Sequence, residues 1–149
     1  MSKRYPKPLR FFPKNPEKYM GNTSEIISRS SWELKLMRFL DSNSNVLKWC
    51  SEEVVIPYRS PIDGKIHRYF PDFLIQKKNK KGDIEWVLIE VKPKAQTKEP
   101  VPKKRISKRY LNEVKTWGIN QAKWESAEQF CKKKNWKFML VTEDDLGIK

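Results

Sequence analysis

The alternation of apolar and polar positions divides the chain into helices and strands. Trp32, Leu36 and Phe39 recur at helical spacing and predict a first helix that begins at Ser30 and is broken by residues 41–45. Asp63-Gly64 predicts a type I′ hairpin turn, because both central positions of such a turn need a positive φ. The further elements that we expect are strands at 46–50, 54–58, 65–76, 85–92 and 137–142, a turn at 79–83, and helices at 105–117 and 120–134 that are interrupted at Gly118.

The strand at 85–92 is apolar on both faces. Val87 and Ile89 lie on one face, and Trp86 and Leu88 lie on the other, which is typical of a central strand buried between two layers. The connection from this strand to the last strand is long enough for a right-handed parallel crossover. The order helix, strands, helix, strand therefore predicts an α/β fold with a mixed central sheet flanked by helices.

Residues 1–28 differ from the remainder and predict a separate basic, proline-rich N-terminal arm, followed by one domain over residues 29–149. Prolines prevent a regular helix here, and aromatic side chains alternate with the basic ones. Three alternatives stay open for the arm: an extended segment on the domain, a segment that reaches for DNA, or a solvated tail.

Composition adds a strong electrostatic constraint. The chain has 149 residues, a net charge of +14 and six Trp, which describes a folded, very basic domain whose most common partner is nucleic acid. Ribosomal and membrane-surface proteins share this charge, so the charge alone does not choose among them. Cys50, Cys131 and His67 are too few for a four-ligand zinc site, and we expect two reduced thiols in the core. The sequence contains no apolar run of about 18 residues, so it predicts no membrane-spanning helix.

Four polar residues fall where an apolar environment is predicted. Glu90 and Lys92 share one face at the end of the central strand, about 7 Å apart from the rise per residue. Asp72 follows Pro71 in an apolar run, and it lies beside Glu90 if the two strands are neighbours. Glu33 shares the inward face of the first helix.

Such a set suits the hydrolysis of phosphodiester bonds. Clustered carboxylates hold Mg²⁺ through oxygen ligands, and the metal activates water and acts as a Lewis acid. We expect Glu33, Asp72 and Glu90 to bind one or two Mg²⁺ ions, with Mn²⁺ as a substitute, and Lys92 to serve the attacking water. Two structural alternatives compete: Glu33 could close a capping box with Ser30, and Asp72 could form only an ion pair with Lys92.

Several basic residues are candidates for contact with the backbone of double-stranded DNA. They follow the central strand or precede Asp72, from where they could guide a DNA strand to the site. These candidates are Lys103, Lys104, Arg105, Lys108, Arg109 and Arg68.

Pro71-Asp72, followed by Glu90-Val91-Lys92, resembles the signature of the PD-(D/E)xK nuclease superfamily, with its restriction-endonuclease-like fold. Within it the chain is most similar to TnsA-like transposase nuclease domains and to the head completion nucleases of T4-type phages. The segments that carry this similarity are 29–33, 49–53, 56–58 and 68–73.

The resemblance implies that Glu33 is the helix acid, Asp72 and Glu90 the motif acids, and Lys92 the motif lysine. TnsA has Gln where this chain has Glu90. The implied function is a Mg²⁺-dependent endonuclease that cuts or trims DNA during phage head completion, in the host cytoplasm or associated with the virion. Head, portal or neck proteins are then expected partners, and a homodimer would allow both strands to be cut.

Two other functions stay open: a non-catalytic basic structural protein of the head or portal, and a TnsA-like transposase subunit. A transposase subunit would need a C-terminal domain that binds a partner. We expect no such domain, because the chain ends at Lys149.

Overall fold

The computed structural model describes residues 8–102 and 104–147. Single 3₁₀ turns occur at Pro16–Lys18, Thr23–Glu25 and Lys94–Thr97. The strands and helices, in chain order, are β1 (Leu9–Arg10), β2 (Ile27–Ser28), α1 (Ser31–Ser42), β3 (Val46–Ser51), β4 (Ile56–Arg59), β5 (Ile66–Tyr69), β6 (Phe73–Lys78), β7 (Ile84–Val91), α2 (Lys108–Lys134) and β8 (Lys137–Val141).

The central sheet has the strand order β3-β6-β7-β8. The first two pairings are antiparallel, and β8 lies parallel to β7, so the sheet is mixed. Leu36 and Leu40 of α1 line a groove with Ile89, while Phe130 of α2 reaches the sheet through Trp136 and Trp86. The helices therefore lie near opposite faces of the sheet. The predicted α/β fold with a mixed, helix-flanked sheet is confirmed.

The predicted break at Gly118 is wrong, because α2 is one continuous helix of 27 residues. It begins after Ser107, whose hydroxyl accepts a hydrogen bond from the amide of Tyr110 at 3.1 Å. A glycine inside a helix costs about 1 kcal/mol relative to alanine. Packing on either side offsets this cost: the rings of Trp117 and Trp124 meet edge to face at 6.4 Å.

The single strand predicted over residues 65–76 is also wrong. It consists of two strands: β5 pairs only with β4, in a separate two-stranded sheet, and β6 joins the central sheet. The division falls at residues 70–72 around the buried Pro71. Proline cannot donate to a ladder, so it is a natural place for the chain to leave one sheet and enter another.

The predicted hairpin exists between β4 and β5, but its turn type was wrong. Gly64 has φ +70°, whereas Asp63 is not among the positive-φ residues of the described chain. The loop is longer than two residues: the amide of Ser60 donates to the carbonyl of Lys65, and the amide of Gly64 donates to the carbonyl of Ser60. The predicted turn at 79–83 is confirmed, with Gly82 at φ +83°.

Residues 8–28 lie against the domain. The rings of Phe11 and Tyr19 are buried and meet the fully buried ring of Trp49 edge to face at 5.8 and 4.8 Å. The amides of Lys14 and Asn15 donate to the Asp41 carboxylate at 2.8 and 3.2 Å. Residues 1–7 of the predicted arm lie outside the described residues, and the domain boundary at 28 stays a prediction.

Lys18 also attaches this segment to α1. Its ammonium donates to the carbonyls of Leu40, Asp41 and Asn43 at 2.8–3.0 Å, at the end of the helix where carbonyls lack intrahelical partners. The segment therefore caps the helix that carries Glu33.

Both cysteines are buried and free, as predicted. No helix within residues 8–102 and 104–147 combines the length and the apolar character that crossing a bilayer requires.

Candidate active site

The four residues singled out in the sequence line one cleft at the end of the central sheet. The cleft has a volume of about 410 Å³ and is open to solvent, and its walls include Glu33, Asp72, Glu90 and Lys92. The sheet register explains the meeting of the two motif acids. Phe73 pairs with Ile89, so Asp72 and Glu90 occupy the next step of the β6–β7 ladder. The Asp72 carboxylate also accepts a hydrogen bond from the amide of Val91 at 2.7 Å.

Glu33 lies in the first turn of α1 and is only 8% exposed. The hydroxyl of Ser30 accepts a hydrogen bond from the Glu33 amide at 3.1 Å and donates to Glu33 Oε2 at 3.2 Å. Ser30 is thus the N-cap, as the capping-box alternative requires, but the carboxylate contacts the Ser30 hydroxyl instead of reaching back to its amide. The Glu33 carboxylate can therefore stabilise the N-terminus of α1 and face the cleft at the same time.

The carboxyl groups of the cleft resist ionisation. Burial, followed by the negative charge of Asp72, raises the pKa of Glu33 from 4.5 to about 7. Burial also raises the pKa of Asp72, and burial together with the charge of Asp72 raises the pKa of Glu90. Crowded carboxylates of this kind are stabilised by a cation.

The structure brings a further acid, Glu52, to the cluster. Carboxylate oxygens of Glu33, Glu52 and Asp72 lie within 4.8 Å of one another, which is close enough for one metal ion. Glu52 follows β3 directly and has φ +55°, and its amide donates to the carbonyl of Asp72 at 3.0 Å. Its carboxylate also pairs with Arg29 at 3.1 Å.

Sequence analysis missed Glu52 as a site residue, although the segment 49–53 carries part of the family resemblance. The available signal is an acidic pair, Glu52-Glu53, at the end of a predicted strand in a chain of net charge +14. Strand alternation cannot place the side chain, because a residue with positive φ has left the strand geometry.

Glu90 has a separate partner. The hydroxyl of the buried Tyr69, at the end of β5, donates a hydrogen bond to Glu90 Oε2. Tyr69 thereby fixes the orientation of this carboxylate, and it too was missed by sequence analysis. No local pattern indicates such a contact, since it depends on the chain passing from the β4–β5 hairpin into the central sheet.

Lys92 follows β7 and lies partly buried in the cleft, with its amide bonded to the carbonyl of Val141 at 2.9 Å. The ion pair considered as an alternative for Asp72 and Lys92 does not form. Within the described part of the chain, Lys92 takes part in no salt bridge shorter than 4.0 Å.

The residues predicted to contact DNA are exposed wherever the structure describes them. Lys104 and Arg105 precede α2, and Lys108 and Arg109 form its first turn. Arg109 also pairs with Glu113 at 3.3 Å, and Arg68 lies over the ring of Phe70 at 5.6 Å. Lys103 lies outside the described residues. Contact of these residues with DNA stays a prediction.

Comparison with known proteins identifies the family of this chain. The family described as TnsA-like endonuclease N terminal matches residues 43–143, and the chain belongs to this family. Among its relatives, the head completion nuclease of Enterobacteria phage T4 is 39% identical over 141 residues, which cover 92% of this chain and 91% of that protein. The predicted resemblance is confirmed. The family match includes Asp72, Glu90 and Lys92, and it begins directly after α1, which carries Glu33.

Proposed function

We propose that this protein is a Mg²⁺-dependent DNA endonuclease that cuts or trims DNA during the completion of phage heads. The observation that carries the proposal is the cluster of buried and partly buried carboxylates at the end of β7, beside Lys92, in a cleft of about 410 Å³ that is open to solvent. Membership of the TnsA-like endonuclease family and the similarity to a head completion nuclease support the reaction and the setting.

The donor set fits Mg²⁺, because every candidate ligand is a carboxylate oxygen and Mg²⁺ prefers hard oxygen ligands. Burial, followed by the negative charge of Asp72, raises the pKa of Glu33, and a divalent cation in the cleft would stabilise the ionised carboxylate against both effects. Glu33, Asp72 and Glu90 would bind one or two ions, and Glu52 is positioned to share the ion between Glu33 and Asp72. Mn²⁺, which accepts the same ligands, would substitute.

The metal would supply Lewis acidity and an activated water when it is bound. Lys92 would orient the attacking water or stabilise the charge that develops on the phosphate. Tyr69 would keep Glu90 in place through its hydroxyl. Ser30 would do the same for Glu33 while it caps α1.

Double-stranded DNA is the substrate that the charge favours. The chain carries a net charge of +14, and the exposed basic residues 104, 105, 108, 109 and 68 would neutralise backbone phosphates without reading sequence. One such site cuts one strand, so cutting both strands would need a homodimer or two successive events. The similarity to a head completion nuclease supports a role in completing phage heads. We further propose that the protein acts in the host cytoplasm or on the virion, with head, portal or neck proteins as partners.

The test is cleavage of supercoiled plasmid by the purified protein in Mg²⁺, in EDTA, and with Lys92→Ala in Mg²⁺. We expect nicking or linearisation that needs Mg²⁺ and disappears in the variant. Lys80→Ala is the matched control, since Lys80 is exposed in the turn at the opposite end of β7. Binding of DNA without cleavage, in both Mg²⁺ and Mn²⁺, would favour a structural protein instead.

A further inference from the structure

We propose that Lys123 is a phosphate-binding residue next to the active-site cleft, where it holds a backbone phosphate of the bound DNA strand on the Glu90 side of the carboxylate cluster. This rests on the proposed nuclease function and adds a contact to it. Lys123 belongs to α2, which supplies none of the acids. It lies 31 residues after Lys92, the lysine of the family motif.

Lys123 is near the middle of α2 and lies against the β4–β5 hairpin. Its ammonium lies 5.5 Å from the centre of the Tyr69 ring and 5.7 Å from the centre of the Tyr58 ring. Tyr69 in turn donates its hydroxyl to Glu90. The two tyrosine rings therefore hold the ammonium of Lys123 by cation–π contacts on the side of the cluster where Glu90 lies, and these contacts leave its N–H groups able to donate hydrogen bonds.

Within the part of the chain that the structure describes, the ammonium of Lys123 has two aromatic rings beside it but no anionic partner in direct contact. The lysine is partly buried, and its charged neighbours are Lys92, Glu90 and Asp72. Within residues 8–102 and 104–147, however, no carboxylate lies within 4.0 Å of its ammonium and no acceptor forms a hydrogen bond with it. Burial, followed by the like charge of Lys92, lowers the pKa of Lys123, in agreement with the absence of a carboxylate in direct contact within the described residues.

A purely structural role would not require this arrangement. An apolar side chain would fill the space against two tyrosine rings without placing a second cation near Lys92, where the two charges repel each other. An anion beside the ammonium of Lys123 would reduce this repulsion and supply the hydrogen-bond acceptors that the ammonium lacks in the described part of the chain. A DNA phosphate is that anion for a basic protein whose neighbouring carboxylates are arranged to bind a metal.

The first experiment measures equilibrium binding of a short DNA duplex at several salt concentrations in EDTA, so that neither cleavage nor divalent metal contributes. Each phosphate contact adds about 0.9 to the slope of log K against log salt, which corresponds to about eightfold in affinity at about 0.1 M salt. Lys123→Met keeps an unbranched apolar side chain beside the tyrosine rings and removes the charge. We expect it to lose about one such contact.

The matched control is Lys132→Met. Lys132 is exposed on the same helix, nine residues further along and therefore on about the opposite side. It should retain the affinity and slope of the wild type. Lys123→Arg should retain the slope as well, because it keeps a cation at the site.

Single-turnover cleavage in Mg²⁺ completes the test, with Lys123→Met slower than wild type and Lys123→Arg recovering most of the rate. An unchanged salt slope in Lys123→Met, or equal losses in the Met and Arg variants, would overturn the proposal in favour of a packing role. If the wild type binds DNA but cuts nothing, the proposed nuclease function fails, whereas the salt slopes still decide whether Lys123 binds phosphate.

Discussion

The burial of Glu33 makes a quantitative prediction about the protein without metal. Replacing Glu33 with Gln keeps the shape and an acceptor for the Ser30 hydroxyl but removes the charge. The pKa of Glu33 is raised from 4.5 to about 7, so the ionised group is less stable in the folded chain than in the unfolded chain. Glu33 therefore begins to destabilise the fold as the pH rises above 4.5, and its full penalty is reached above pH 7.

The size of the effect follows from the two pKa values. Linkage gives a penalty of less than about 1 kcal/mol at pH 5 and about 3 kcal/mol at pH 8. Glu33→Gln should therefore be more stable than wild type in EDTA, by up to about 2–3 kcal/mol more at pH 8 than at pH 5. Glu33 is 8% exposed but faces a cleft that is open to solvent, so screening makes this value an upper bound.

Urea denaturation followed by tryptophan fluorescence, in EDTA at both pH values, measures the difference directly. Glu125→Gln, on the exposed face of α2, is the control and should show no pH-dependent gain. Mg²⁺ should stabilise the wild type more at pH 8 than at pH 5 and should stabilise Glu33→Gln less. A gain in stability that is equal at both pH values would refute the assignment of Glu33 to a crowded acidic cluster.

Three further changes test other contacts. Tyr69→Phe removes the hydroxyl that orients Glu90 and should lower Mg²⁺ affinity by about 10- to 100-fold in calorimetric titration; unchanged affinity would place Glu90 outside the metal site. Asp41→Ala leaves two backbone amides of the N-terminal segment without acceptors and should cost about 2–4 kcal/mol in urea denaturation, whereas exposed Asp83→Ala should cost less than about 0.5 kcal/mol. Gly118→Ala should raise stability by about 0.5–1 kcal/mol, because an added Cβ would lie 3.7 Å from Pro61; a loss of stability would mean that α2 needs the glycine.

The parts of the fold that sequence alone predicted are those with a strong local pattern. β7 was predicted because Val87 and Ile89 on one face and Trp86 and Leu88 on the other make a strand that is apolar on both faces, and Pro93 ends the run. The first helix was predicted because its apolar residues recur at helical spacing and Ser30 is a suitable cap. In both cases the local preference and the tertiary packing favour the same structure.

The errors arose where distant contacts outweigh local preference. Gly118 is a reasonable helix break until Trp117 and Trp124 pack around it. Residues 65–76 contain no glycine to mark a turn, but their two halves pair with different strands, and pairing partners are not encoded locally. The same limit explains why only part of the site was predicted. Asp72 and Glu90 belong to recognisable motifs, whereas Glu52 is placed beside Asp72 by a hydrogen bond from its amide to the Asp72 carbonyl.

The packing of residues 8–28 has a practical consequence for any shortened form of the protein. Phe11 and Tyr19 cover the indole of Trp49, and Lys18 occupies the carbonyls at the end of α1. A truncation at residue 28 would leave that indole open to water and expose an apolar surface to neighbouring molecules. Such a fragment would tend to aggregate, and its failure to cut DNA would reflect misfolding and not the loss of a DNA-binding tail.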